Sequence, residues 1–284
     1  MWPIQTVGGI SMLSKSLKQK LLASPFLLWV FIFTIVPIIL MVNYGFTHSD
    51  GSFTLDNLTR FFSPLYLGVM RQSFELAILA TVICFFISYP VAYILASKAY
   101  QSKSVLIALF VVPMWMNFLV RTYAWTFILG NQGLLNNLRV LVGLERRQMM
   151  FTDGAVLLGL VYTFLPFMIF PIYSSLQKID PQIVEGARDL GANTYHVFRR
   201  IIFPLSLPGV ASGVTMVFMP AVATFLVSNL LGGAQYILIG NLIEIQFLNV
   251  GNRHFGSMLA LILFVLIIAC NLLLSRLQKE EEGS

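Results

Sequence analysis

The stretch QKIDPQIVEGARDLGANTYHVFRRIIFP, residues 177–204, is a long polar segment held between two apolar runs, 154–177 and 201–243, that contain no charged residue. Asp180-Pro181 starts a helix, with Asp as the N-cap and Pro at the first helical position. Ile183, Val184, Ala187 and Leu190 recur at helical spacing, while Gln182, Glu185, Arg188 and Asp189 fill the other faces. Gly191 suits a C′ position that needs positive φ. Asn193 or Thr194 caps a second short helix whose apolar face is Val197, Phe198, Ile201 and Ile202. Pro204 is expected to stop that helix just before the next span. The pattern is a helix–turn–helix outside the bilayer with one apolar face per limb. Such a hairpin either lies on the membrane surface without a partner or docks on another protein, helix in groove.

The flanking runs repeat along the chain. A bilayer core needs about 20 apolar residues as a helix. The uncharged intervals are 21–49, 76–97, 104–120 (apolar to about 129), 154–177 and 201–243, with a last run after His254. They predict spans at about 25–46, 72–97, 104–129, 154–177, 205–231 and 255–275. The fifth interval is too long for one helix. Its prolines and the Gly232-Gly233 pair leave 232–255 as a loop with short, partly re-entrant helices, which is acceptable at membrane depth only under protein cover. Residues 1–20 and 277–284 then read as an N-terminal segment and a solvated tail, with Gly283-Ser284 resembling an appended scar. Six spans and no alternating period-2 segments make an all-α polytopic membrane protein, not a β-barrel.

Composition agrees. Of 284 residues, 57% are hydrophobic and 11% charged, with a mean hydropathy of +0.82. Soluble chains carry roughly 25% charge, and disorder demands far less apolar surface. The net charge of +6 therefore reports loops meeting anionic lipid and not a nucleic-acid partner. Of the 18 basic residues, 11 fall on the segments that are inside if the N-terminus is inside, and these include all seven lysines; both termini are thus expected to be cytoplasmic. Cys84 and Cys270 sit in apolar runs and offer neither a disulfide framework nor a metal site.

The run Glu185-Gly186-Ala187, three residues, Gly191, nine residues, then Ile201-x-Phe203-Pro204 resembles the EAA loop of ABC importer permeases, E-A-A-x3-G-x9-I-x-L-P. The spacing matches throughout. Gly186 stands for the middle Ala and Phe203 for Leu. Further stretches, Pro113 to Trp125, Gly232 to Asn249 and Phe53 to Tyr66, are similar to the permeases of spermidine/putrescine importers, specifically the first of their two permease subunits. The resemblance implies the type I ABC importer permease fold and a bacterial inner-membrane location, with 178–204 as a cytoplasmic coupling loop. It implies a second permease, two ATPase subunits and an extracytoplasmic binding protein as partners. It assigns ATPase coupling to Glu185, Gly186, Ala187, Arg188, Gly191, Ile201 and Pro204. No G-x-x-x-x-G-K-[ST] is present, so ATP and Mg belong to the partner ATPase, and this chain is expected to bind no cofactor and to catalyse nothing itself.

A polyamine is held by carboxylates and by the faces of aromatic rings. Glu75, Trp115, Tyr123, Tyr162 and Glu244 are the candidate substrate path, against the plainer reading of interface or core residues. Arg121 repels a polycation. It pairs with a carboxylate or a carbonyl and holds an outer gate, or snorkels to the interface. Competing functions are an ABC permease for another solute (sulfate, iron, an opine) and a secondary transporter. The latter calls for internal repeats and midplane ion sites. A membrane enzyme is disfavoured, since His48, His196 and His254 are scattered over loops.

Overall fold

The computed structural model describes residues 24–97, 108, 110, 112–233 and 236–282, with side chains to residue 276. The expected segment 1–20, residues 104–107 of the third span and Gly283-Ser284 lie outside the described residues. In chain order the helices are α1 (Ser24–Gly45), α2 (Asp56–Phe61), α3 (Pro64–Ala96), α4 (Phe118–Leu129), α5 (Leu134–Leu141), α6 (Asp153–Gln177), α7 (Pro181–Asp189), α8 (Thr194–Ala223), α9 (Ile239–Glu244) and α10 (Arg253–Glu282). Among the described residues, α1, α3, α6, α8 and α10 are long and apolar enough to cross a membrane. No strand forms there; Thr47 and Phe53 make an isolated bridge.

The core is the three-helix contact of α3, α6 and α8, and small residues create it. Ala77, Ala80, Cys84, Ser88 and Ala92 line one face of α3, all fully buried. On α8 a Cβ at Gly209 would lie 2.6 Å from the Pro171 carbonyl oxygen and 2.5 Å from Ser175 Cβ. A Cβ at Gly213 would lie 2.6 Å from Met168 Sδ. Lipid is as apolar as leucine, so helices associate here by close backbone approach and not by hydrophobic expulsion from water. Among the described residues α1 packs mainly along α10, where Gly45 meets the Met258 backbone, and its Gly45 carbonyl accepts from Asn57 of α2; Phe26, Leu27, Trp29 and Phe33 are all more than half exposed. Apolar surface of that extent is stable only against lipid or another membrane helix.

Four expectations change in the structure. Pro204 does not end the second limb of the hairpin: α8 runs unbroken from Thr194 through a wide turn at Phe198–Ile202 into the span. Phe203 N–H bonds back to the Phe198 carbonyl across this five-residue step, and the wider turn accommodates a proline ring that brings no N–H. The same device precedes Pro37 in α1, where Val36 N–H bonds to Phe31 across the turn Phe31–Ile35. The fifth span does not continue to 231 as one helix. It ends at Ala223, with Thr224 extended at ψ 140°, and the chain re-enters a wide turn at Ser228–Gly232. Gly240 packs onto the freed carbonyls, where a Cβ would lie 2.4 Å from the Ala223 oxygen. The described part of the third span breaks at Met116-Asn117, and Asn117 caps α4 by accepting from Leu119 N–H at 2.8 Å. The second span also starts earlier than expected, at Pro64, because Pro at N1 nucleates the helix ahead of Arg71.

Gly209 and Gly186 separate packing from propensity. Gly209→Val is expected to destabilise the protein by about 1–3 kcal/mol through overpacking against α6. Gly186 meets nothing within 4 Å, so Gly186→Ala is expected to be neutral or to stabilise by up to ~1 kcal/mol. Thermal unfolding in detergent micelles measures both.

Candidate coupling and transport site

The hairpin closes by local hydrogen bonds. Asp180 caps α7 by accepting from Gln182 N–H at 2.9 Å. At the other end Gly191 has φ +87°. Its N–H bonds to the Arg188 carbonyl (2.9 Å), and Ala192 N–H reaches the Ala187 carbonyl (3.0 Å). This is the Schellman pair of bonds, which needs a left-handed residue at C′. Asn193 then accepts from His196 N–H at 2.9 Å and opens α8. The turn angle of the hairpin is therefore set within Asp180 to His196.

The two limbs face different surroundings. Val197 and Ile202 of the second limb are buried. On the first limb Leu190 is 91% exposed, Ile183 is half exposed, and Glu185 and Arg188 are exposed. The expected coupling residues thus sit together at one end of the bundle: Glu185, Gly186, Arg188 and Gly191 on the surface, Ala187 and Ile201 half-buried, and Pro204 exposed at the start of the span. Glu185 makes no ion pair among the described residues. A groove of about 600 Å³ separates the first limb from the ends of α3 and α6.

The structure brings the expected gate, Arg121, against one of the expected path residues, Tyr162. Arg121 is 91% buried on α4, and Tyr162 of α6 lies under it, ring centroid 5.6 Å from the guanidinium carbon. Trp125 meets the Tyr162 ring edge-on at 5.3 Å. Of the alternatives for Arg121, the structure shows the carbonyl: Nη1 donates to the Pro113 oxygen at 3.1 Å, across the break at Met116-Asn117. No carboxylate pairs with it among the described residues, and its buried Nε has no hydrogen-bond partner there. The ring face of Tyr162 offsets part of that cost. Glu75 is exposed and takes a 2.6 Å bond from Arg71 Nε, one turn earlier on α3. Glu244 is half-buried at the end of α9, where Oε2 accepts from Asn229 Nδ2 at 2.8 Å. Trp115 is 84% exposed and Tyr123 half exposed.

Sequence reasoning missed the group that makes the 232–255 loop possible. Asn241 is buried and makes four bonds. Its Nδ2 donates to the Phe225 carbonyl (3.0 Å) and to Asn229 Oδ1 (2.6 Å); its Oδ1 accepts from Ser228 Oγ (2.6 Å) and Leu238 N–H (3.0 Å). Ser73 of α3 accepts from Ile239 N–H at 2.8 Å and ties the loop to the core. An asparagine and a serine inside an otherwise apolar interval, flanked by glycines, are the signal that marks such a site. Asn241→Ala strips partners from a carbonyl, an N–H and a hydroxyl at once. It is expected to lower stability by about 1–3 kcal/mol, read as a lower unfolding temperature in detergent.

Comparison with known proteins follows this geometry. Residues 88–279 match the family described as binding-protein-dependent transport system inner membrane component. The spermidine/putrescine transport system permease protein PotB of Escherichia coli K12 is 40% identical over 247 residues, covering 84% of this chain and 90% of that protein. PotB of Haemophilus influenzae is 37% identical over 278 residues, covering 92% and 97%. Among solved structures, a chain of the bacterial alginate ABC transporter in complex with alginate pentasaccharide-bound periplasmic protein superposes with a TM-score of 0.80 at 16% identity, covering 94% of this chain and 96% of that one. A chain of the MetNI methionine ABC transporter in an inward-facing conformation gives 0.56 at 18% identity, covering 76% and 95%. At these identities the two structures speak to the fold, which is that of ABC importer permeases.

Proposed function

Because the chain belongs to the binding-protein-dependent transport system inner membrane component family, we propose that it is the first of two related permeases in an ATP-driven importer of spermidine and putrescine. The observation that carries the coupling role is the hairpin: a rigidly capped surface helix with an exposed Glu185 and an exposed Leu190, continuous through α8 with a membrane span. In this reading ATP hydrolysis takes place on a separate pair of ATPase subunits, which hold the nucleotide and Mg. Both termini face the cytoplasm, the hairpin docks on the ATPases, and the opposite end receives solute from an extracytoplasmic binding protein.

The geometry supports the following mechanism. ATPase closure pushes on α7; Glu185 offers a carboxylate to a basic group, and Leu190 seats in an apolar groove. Gly191 fixes the angle between the limbs, so the push passes into α8 as one rigid piece. α8 lies in close backbone contact with α6 at Gly209 and Gly213, and α6 moves with it. The permease then alternates between two discrete packings. Arg121 stands at the outer gate as a fixed positive charge that a polycation passes only when the gate is open. Glu75 and Glu244 supply negative charge on the outer side.

Glu185→Ala and Gly191→Val are each expected to abolish ATP hydrolysis stimulated by the loaded binding protein, while the permease still inserts and assembles. Gly191→Val acts through backbone conformation alone, since nothing lies within 4 Å of a Cβ there. Normal stimulation in both variants sinks the coupling role. The double variant Glu75→Gln, Glu244→Gln is expected to raise the KM for spermidine uptake several-fold in reconstituted vesicles; unchanged uptake removes the carboxylates from the path. The solute retained by the purified binding protein decides between polyamine and another cargo.

A further inference from the structure

The coupling role explains how a push enters α8, but α3 also reaches the hairpin end of the bundle and must move with it. The groove of about 600 Å³ leaves the first limb and the end of α3 poorly packed: Ala96 and Ser97 line one side, Glu185 and Arg188 the other. The close join lies two turns deeper. Tyr89 of α3 is 6% exposed and Ser206 of α8 fully buried, and their hydroxyl oxygens are 2.8 Å apart. Ser206 Oγ donates its single proton to the Phe203 carbonyl at 2.8 Å. Tyr89 O–H is therefore the donor to Ser206 Oγ.

Rings surround this bond and bracket the wide turn. Phe198 opens the turn Phe198–Ile202 and Phe203 follows it. The Tyr89 ring meets Phe198 edge-on at 5.8 Å and Phe203 at 5.6 Å, and Tyr93 meets Phe198 edge-on at 5.8 Å. Pro90, the next residue after Tyr89, removes a backbone bond from α3 at the same level. A bendable point of α3 and a bendable point of α8 thus face each other across one directional hydrogen bond, where the hairpin joins the span.

We propose that Tyr89 and Ser206 are positioning residues of transport coupling. Their hydroxyl pair locks α3 to the hairpin junction, so that hairpin displacement bends α3 at Pro90 instead of letting α8 slide past it. The rings supply packing in any register, whereas the hydrogen bond selects one. The inference rests on the importer reading above.

The test uses the whole complex, with the second permease, the ATPase and the loaded binding protein, in vesicles where spermidine uptake and ATP hydrolysis are measured together. Tyr89→Phe keeps the ring, and Ser206 retains its own donation to Phe203. Uptake per ATP is expected to fall roughly three- to tenfold, the range that the net worth of one hydrogen bond allows. Assembly and unstimulated hydrolysis stay as in wild type. Ser206→Ala, which removes the acceptor from the other side, is expected to match it. The double variant should be no worse than either single one, because both delete the same bond. Ser206→Thr, which restores a hydroxyl, should recover the ratio. A wild-type ratio in Tyr89→Phe and in Ser206→Ala overturns the proposal, as do losses that multiply in the double variant. If wild-type vesicles ignore spermidine and take up another solute from its binding protein, the polyamine reading fails, and the same ratio is then measured with that solute.

Discussion

Inside a bilayer no water waits to bond a freed backbone group, and every interruption of a helix has to be answered by protein. Most of what is distinctive in this chain is such an answer. After Ala223 the helix stops, and the Asn241 side-chain amide takes the Phe225 carbonyl. At Met116-Asn117 the third span stops, and Arg121 takes the Pro113 carbonyl while the Asn117 side chain takes an N–H. Before Pro37 and before Pro204 the helix widens by one residue instead of stopping. Each solution leaves the chain continuous and locally bent.

That core has to be stiff for a push at one end to matter at the other. Gly209 and Gly213 let α8 lie directly on the α6 backbone, and the small face of α3 closes the third side. Helices so close cannot rotate or slide by small amounts without a clash, which favours discrete states over continuous deformation. The hairpin joins this unit without a loop. Its Schellman turn fixes the angle between α7 and α8, and the exposed apolar Leu190 and acidic Glu185 remain available to a partner. Among the described residues α1 stands outside the unit, packed mainly along α10 and with much of its surface apolar and exposed.

The hairpin was legible because its signals are local. Asp180 before Pro181, Gly191 after Leu190 and Asn193 before a second short helix each satisfy their own backbone within a few residues, and the structure has all three in those roles. Among the described residues five of the six expected spans were legible for the same reason, since apolar length is read locally, although the second also takes in charged Arg71 and Glu75 and the third breaks at Met116-Asn117. What sequence reading got wrong depends on backbone geometry and on packing. Pro204 reads as a helix stop until the wide turn before it is seen, and the span expected to reach 231 breaks because Gly240, from a later segment, lies against its carbonyls. Of the expected gate and path residues, Arg121 and Tyr162 come into contact; Glu75 finds Arg71 at i−4 on its own helix, a spacing the sequence carries, while Glu244 finds Asn229, which no motif marks.

Sequence by itself determined the membrane class, the apolar spans and the surface hairpin with its capped turn, because apolar length and capping are satisfied locally. Tertiary structure decided where those spans bend and which buried polar groups meet. Asn241 with Phe225, Ser73 with Ile239, and Tyr89 with Ser206 lie 16, 166 and 117 residues apart. In hydrocarbon a polar group accepts whichever partner the fold brings within 3 Å, and only the packing of α3, α6 and α8 determines which partner that is.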